Sequence, residues 1–205
     1  LRVVTWKGQI IFDGKVKTGT AKIKPNDDCL GGHAGPARTV TGPTALGLLY
    51  QASLRYKALQ PLKISDGDFG FGICGIADVS AKNKEWWVLR RNNKDSMSGA
   101  ETTRVKAGDT ILLYLARTYE DTAPDSLVLN APTKARKGAR VKVRVFSFTG
   151  AGKRTPVEGA RVFGAKGALT DAQGYTYLTI NGRTNLVARQ GSLIPSNRVS
   201  VSIRK

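Results

Sequence analysis

The sequence predicts two β-rich domains in tandem, an α+β domain with one helix on a mixed sheet and then a smaller all-β sandwich. Three observations carry this. One stretch alone, "ALGLLYQASLRY", places apolar residues at helical spacing. Short strand-like runs bounded by Gly, Pro, Asn and Asp fill most of the remaining chain. Around Asp125 to Lys137, two prolines and a basic cluster separate strand-like stretches, as a linker would. The expected division is 1–124, a linker over 125–137, and 138–205.

The first domain opens with two strand-like runs, Val3 to Phe12 and Lys17 to Lys24. They are joined through Asp13-Gly14, a dipeptide favoured in tight hairpin turns. The following "NDDCLGGHAGPARTVTGP" is rich in Gly, Pro and Asp and reads as an irregular loop. The helix comes next, with Leu46, Leu49, Tyr50 and Leu54 at its spacing and Thr41 or Thr44 as its cap. Then come "LKI", the glycine-dense "DGDFGFGICGIADV", "KEWWVLRRN" and "ETTRVKAGDTILLYLART". In the last run Ile111, Leu113 and Leu115 alternate with Leu112, Tyr114 and Ala116, so both faces are apolar and the strand belongs inside a sheet. Hairpin, helix and several strands in this order make a β-grasp layout.

In the second domain Val141, Val143 and Val145 alternate with basic residues, and Val157 to Phe163 continues after a Gly-rich turn. "ALTDAQGYTYLTI", "TNLVARQG" and "NRVSVSIRK" follow. Short runs with turn signals between them describe a sandwich, and no helix is needed.

The 205 residues carry 33 Lys+Arg against 15 Asp+Glu, a net charge of +18. Residues 1–130 hold 18 basic and 13 acidic side chains, while residues 131–205 hold 15 and 2. Glu158 and Asp171 are the only acids of the second segment. Such asymmetry points to an anionic partner, a cell-surface polymer, lipid face or nucleic acid. Lys134, Arg136, Lys137, Arg140, Lys142 and Arg144 are the candidate anion-binding residues. The alternative is a solvated basic surface that serves solubility alone. No run approaches the length of a membrane-spanning helix.

Cys29 and Cys74 belong to no CxxC pair or Cys/His cluster, so a disulfide between them is the economical reading; two buried thiols are the alternative. The chain starts at Leu1 without Met, as expected of an exported protein after signal-peptide removal. That setting favours the disulfide.

Candidate chemistry is sparse. His33, the only histidine, lies in "GGHAG" and no G-x-S-x-G elbow accompanies it, so a nucleophilic triad is not expected. Asp66 and Asp68, or Asp27 and Asp28, are weak candidates for Ca²⁺, and turn formation is the stronger reading. No phosphate-binding glycine motif precedes the helix. No metal or cofactor is expected. Trp86 and Trp87 are adjacent in a strand, so one should enter the core while the other faces out or lies under a loop. With Arg90 and Arg91, an exposed Trp would form a platform for a glycan or base.

Several of these residues carry resemblances. The hairpin, "TALGLLYQAS", "FGFGICGIADV", "EWWVLRRNN" and "VKAGDTILLYLA" resemble a bacterial family of unknown function related to the C-terminal β-domain of transcobalamin and intrinsic factor. The resemblance spans roughly residues 3–118. Trp86, Trp87, Asn92 and Asn93 fall in its tryptophan strand, and Gly108, Asp109 and Tyr114 in its last strand. Asn93 is followed by Lys94 where that family commonly has Gly, so the turn after the tryptophan strand is expected to differ. In transcobalamin the domain closes over cobalamin with an α-helical barrel for which this chain has no room, so cobalamin binding is not carried across.

"PVEGARVFG", "LTDAQGYTYLTI" and "SNRVSVSI" resemble the immunoglobulin-like carboxypeptidase-regulatory family and related adhesin sandwiches. Pro156, Gly159, Ala160, Val162, Thr170, Asp171 and Gly174 match its pattern. Some adhesin relatives carry a Lys–Asn isopeptide bond, for which Lys142 and Asn197 would be the pair.

The expected function is a non-catalytic exported or cell-surface module for adhesion, ligand capture or extracellular assembly. Its partners would be copies of itself or an anionic surface polymer. The alternatives are a polyanion or nucleic-acid binder using the basic sandwich, and a subunit of a self-assembling filament.

Overall fold

A computed structural model describes residues 1–82, 84–118 and 123–204. The protein is mostly β, with one α-helix and several sheets, and divides into two compact units, Leu1–Ala123 and Pro124–Lys205.

In the first unit the strands are β1 (Arg2–Val4), β2 (Ile10–Asp13), β3 (Ala21–Ile23) and β4 (Arg38–Val40), followed by the helix α1 (Ala45–Arg55). After a 3-10 turn at Lys57–Leu59 come β5 (Leu62–Gly67), β6 (Gly70–Ile76), β7 (Val79–Ser80), β8 (Trp86–Arg91), β9 (Lys94–Asp95) and β10 (Ile111–Ala116). The expected single mixed sheet is three sheets. One is five-stranded in the order β2-β1-β10-β8-β9, with β1 parallel to β10 and its other pairs antiparallel. β5-β6-β7 and β3-β4 form the others. β10 is central and wholly buried, as its two apolar faces require.

The opening hairpin turns elsewhere than Asp13-Gly14. β1 pairs with β2 across residues 5–9, where Thr5 Oγ1 accepts from the Gln9 N–H at 3.2 Å and Gly8 takes a positive φ of 72°. Asp13 lies opposite Arg2 at the far end of this pair. Of the expected second run only Ala21–Ile23 is strand, and it pairs with β4.

Thr44, fully buried, caps α1: its Oγ1 accepts from the Gly47 N–H at 3.0 Å, and Arg55 stands in the last turn against the helix dipole. Leu46, Leu49 and Ala52 enter a core shared with Ile64, Ile73, Trp87, Leu89 and Leu113, which joins the helix to both larger sheets. Leu54, expected on that face, is 59% exposed.

In the second unit, residues 125–137 are not a linker. They contain β11 (Ser126–Asn130) and β12 (Lys134–Ala135), which hydrogen-bond into two different sheets because Leu127, Leu129 and Ala135 are needed in the core. There follow β13 (Ala139–Phe148), β14 (Arg154–Pro156), β15 (Arg161–Phe163), β16 (Lys166–Gly167), β17 (Tyr175–Ile180), β18 (Thr184–Arg189) and β19 (Val199–Ile203). β11-β13-β17-β16, with β14 also on β13, forms one sheet and β12-β19-β18-β15 the other. Val143, Val145 and Leu178 of the first meet Val162, Leu186 and Val201 of the second in one core.

The matched turn residues act structurally. Asp171 Oδ1 accepts from the N–H groups of Gln173 and Tyr175 at 3.0 and 2.8 Å, and buried Thr170 links Val157 to Ala160.

Candidate functional site

Cys29 and Cys74 are disulfide-bonded, with Cα atoms 5.6 Å apart. The bond ties the loop before β4 to β6. Two glycines let that loop lie flat: a Cβ on Gly32 would stand 2.8 Å from the Asp66 carbonyl carbon, and one on Gly72 2.7 Å from Ser65 Oγ. His33 exchanges backbone hydrogen bonds with Asp66, which extends the β5 edge. Leu30, Gly31 and Gly32 are thereby held as one wall of a cleft of about 750 Å³.

The other walls are the tip between β5 and β6, strand β8, and the loop following β9. Phe71 and Ile73 of β6 and Trp87 and Leu89 of β8 line the interior. Phe69 and Met97 also border it, 103% and 99% exposed, and Leu30 is 48% exposed. Fully exposed large apolar groups beside a cleft are costly in water unless something covers them in use. Trp87 is 7% exposed, and its indole N–H is a buried donor without a partner. Such donors are rare, and a ligand or water acceptor is the usual remedy.

A charged strut supports the β5–β6 tip. Arg38 grips Asp66 with two hydrogen bonds of 2.6 and 2.7 Å, reaches Glu101 at 3.3 Å, and stacks 4.2 Å from the Phe71 ring centre. The Arg38 guanidinium holds the Asp66 carboxyl below its ordinary range. Glu101 in turn accepts from the Phe71 N–H at 3.1 Å.

A family model described as a domain of unknown function (DUF4430) matches residues 53–117. The match runs from the last turn of α1 through β10, and so takes in β6, β8 and the loop after β9, three of the cleft walls. It agrees with the resemblance to a bacterial family of unknown function. No curated protein and no solved structure matches the chain.

The expected platform is brought together only in part. Trp86 and Trp87 border the cleft, with Trp87 in the core and the Trp86 indole N–H donating to the Thr118 carbonyl at 3.3 Å. Arg90 is 1% exposed and bonded to Asp95 at 2.6 Å, and Arg91 is bonded to Asp109 at 2.8 Å. The sheet face that carries Arg90 also buries Arg2, whose guanidinium is pushed down to about 10 by burial, against the opposing pull of Asp13. Neither Arg90 nor Arg91 borders the cleft, because both are committed to carboxylates.

Three of the four weak candidates are engaged locally, and the fourth, Asp68, borders the cleft. Asp66 serves Arg38, Asp27 lies 3.5 Å from Lys63, and Asp28 accepts from the Ala34 N–H. His33 is an exposed side chain 3.7 Å from Asp28. Lys142 and Asn197 are not juxtaposed: the Lys142 ammonium sits over the Tyr175 ring, while the Asn197 amide is bonded to the backbone of Leu129. Of the basic candidates, Lys134, Arg136 and Lys137 lie on β12 and the turn after it, whereas Arg140, Lys142 and Arg144 alternate along β13.

Sequence reasoning missed Phe69, Met97 and Leu30. For Leu30 and Met97 the available signal was composition, since each is a large apolar residue isolated among Gly, Asp or Ser. Phe69 alternates with Phe71 and Ile73 and gave no such signal, being left outside the core only because β6 begins at Gly70.

Proposed function

We propose that the protein is an exported, non-catalytic module whose first unit captures a small, largely apolar ligand in the cleft between β6 and β8. In this reading the first unit is a β-grasp-like domain and the second an immunoglobulin-like sandwich acting as its spacer. Among adhesion, ligand capture and extracellular assembly, capture has the support of a specific observation, the cleft flanked by fully exposed Phe69 and Met97. Its volume lies within the range usual for small-molecule sites. The disulfide supports export, because such bonds persist in oxidising compartments. Among the described residues no helix is long and apolar enough to cross a membrane.

The test is fluorescence titration of the whole chain with N-phenyl-1-naphthylamine, a neutral apolar probe. Saturable binding at one site, weakened several-fold by Phe69→Ser with Met97→Ser, is the expected result. A signal that rises linearly with probe, or that ignores both substitutions, overturns the reading.

A further inference from the structure

We propose that the outer face of the β13 sheet in the second unit is a binding site for a linear anionic polysaccharide. The proposal does not depend on the cleft. Along β13, Val141, Val143 and Val145 turn to the core side, and Arg140, Lys142, Arg144 and Phe146 take the opposite face. The ladder sets Lys142 opposite Tyr177, Arg144 opposite Tyr175, and both Arg140 and Lys166 opposite Thr179. Directly paired residues share a face, so these cations and tyrosines stand together.

Their contacts form one pair and, beside it, a series of five side chains. The Arg140 guanidinium lies 5.1 Å from the Tyr177 ring centre, and the Lys142 ammonium lies 3.8 Å from that of Tyr175. Arg144 lies 4.4 Å from Tyr175 and 4.5 Å from Phe146, and Arg154 lies 4.7 Å from Phe146. Phe146 is only 6% exposed although it is on the outer face, because these side chains lie over it. The rings hold long flexible cations in extended positions, which lowers the ordering cost of binding an anion.

Among the described strand residues that share this face, none is an acid. Arg38, Arg90 and Arg91 of the first unit each bond a carboxylate. Among the described residues none of Arg140, Lys142, Arg144, Arg154 and Lys166 does so. Arg144 gives its Nε–H to the Gln173 carbonyl at 3.0 Å and keeps its remaining donors. Like charges held about 7 Å apart along β13, with Lys166 two strands away from Arg140 at about 10 Å, repel one another. A chain of anionic groups relieves that repulsion, and the guanidinium forks suit sulfate and carboxylate oxygens.

The tyrosine faces decide between polyanions. Binding of single-stranded nucleic acid relies on bases stacking on open aromatic faces. Here cations already occupy ring faces of Tyr175, Tyr177 and Phe146, so the surface offers charge and hydrogen bonds without a stacking platform. That suits a glycan whose charged groups are read directly.

The experiment is calorimetric titration of the full chain with heparin as the probe, against oligo(dT) at equal charge concentration. Heparin should bind more tightly than oligo(dT), with affinity falling on the order of tenfold to a hundredfold between 50 and 200 mM salt. The triple change Arg140→Glu, Lys142→Glu, Lys166→Glu should weaken heparin binding more than tenfold. Lys134→Glu, Arg136→Glu, Lys137→Glu, an equal change of net charge on β12 and its turn, should weaken it only a few-fold. Equal losses in the two variants, no heparin binding at 50 mM salt, or tighter binding of oligo(dT) each overturn the proposal. Should the first variant not fold, lysine acetylation of the unmodified chain decides. Heparin must protect Lys142 and Lys166 more than Lys134 and Lys137, and equal protection overturns the assignment.

Discussion

Asn92 and Asp109 lock the end of β8 to the start of β10: the Asn92 amide donates to Asp109 Oδ1 at 2.8 Å and accepts from the Thr110 N–H at 2.9 Å. Asp109 also accepts from Arg91 at 2.8 Å and from the Lys106 N–H at 2.9 Å. These bonds, that of Asn92 foremost, hold its carboxyl below the ordinary range against the opposing effect of burial. A carboxylate whose folded pKa is depressed contributes stability above its unfolded pKa, near 4, and loses it as pH falls through the folded value. Asp109→Asn should therefore lower stability at pH 7 by about 1–3 kcal/mol. The difference from the unmodified chain should shrink below about pH 4. Urea unfolding followed by tryptophan fluorescence from pH 7 to pH 2 checks it, and a constant difference across that range counts against the assignment.

The turn between β8 and β9 consists of Asn92 and Asn93, with φ of 52° and 65°. Two residues with positive φ in a two-residue hairpin loop are the mark of the turn that follows strand twist best. Among the described residues the Asn93 side chain has no hydrogen-bond partner, so Asn93→Gly should raise stability by a few tenths of a kcal/mol, on the order of 0.5. Asn92→Gly should lower it, because the bonds to Asp109 and Thr110 are lost. Thermal melts of the two variants side by side test the contrast.

The Cys29–Cys74 bridge spans 45 residues. The chain-entropy model gives about 4 kcal/mol for a loop of that size. Cys29→Ser with Cys74→Ser should lower the stability of the first unit by up to that amount. It should also weaken N-phenyl-1-naphthylamine binding, since Leu30 and Gly32 lose their tether to β6. Heparin binding should be unchanged, which separates the two surfaces.

Gly174 lies where the β13 edge passes from β17 to β14, with φ of 77°, and its carbonyl accepts from the Val145 N–H at 2.8 Å. A Cβ there would collide with the Val145 carbonyl oxygen, whereas one on Gly138, at φ 78°, meets open space. Gly174→Ala should cost more than about 2 kcal/mol, and Gly138→Ala about 1. Denaturant melts of the two variants give the comparison.

Several features were legible in the chain because they depend on neighbours in sequence. Thr44 precedes an apolar run at helical spacing, and it caps α1. Ile111 to Ala116 is apolar on both faces, and it is the buried middle of a sheet. Asp171 and Gly174 sit in a turn pattern and make the turn. The Asp13-Gly14 hairpin failed for the complementary reason: a two-residue signal was outcompeted by the tertiary pairing of Arg2 with both Asp13 and Leu112.

The sequence by itself determined the β-rich character, the helix and its cap, the pairing expected of two cysteines, and the segment in which positive charge is concentrated. Tertiary structure alone decided which surfaces those residues make. Leu30, Phe69, Trp87 and Met97 are far apart in the chain and meet only when the disulfide and two sheets bring their segments together. Arg90 and Arg140 show the same limit. Each is an arginine on a strand, yet one is buried against Asp95 and the other stands in solvent over a tyrosine. Strand alternation assigns side chains to two faces; only the packing of other elements determines which face is covered and which is left to bind.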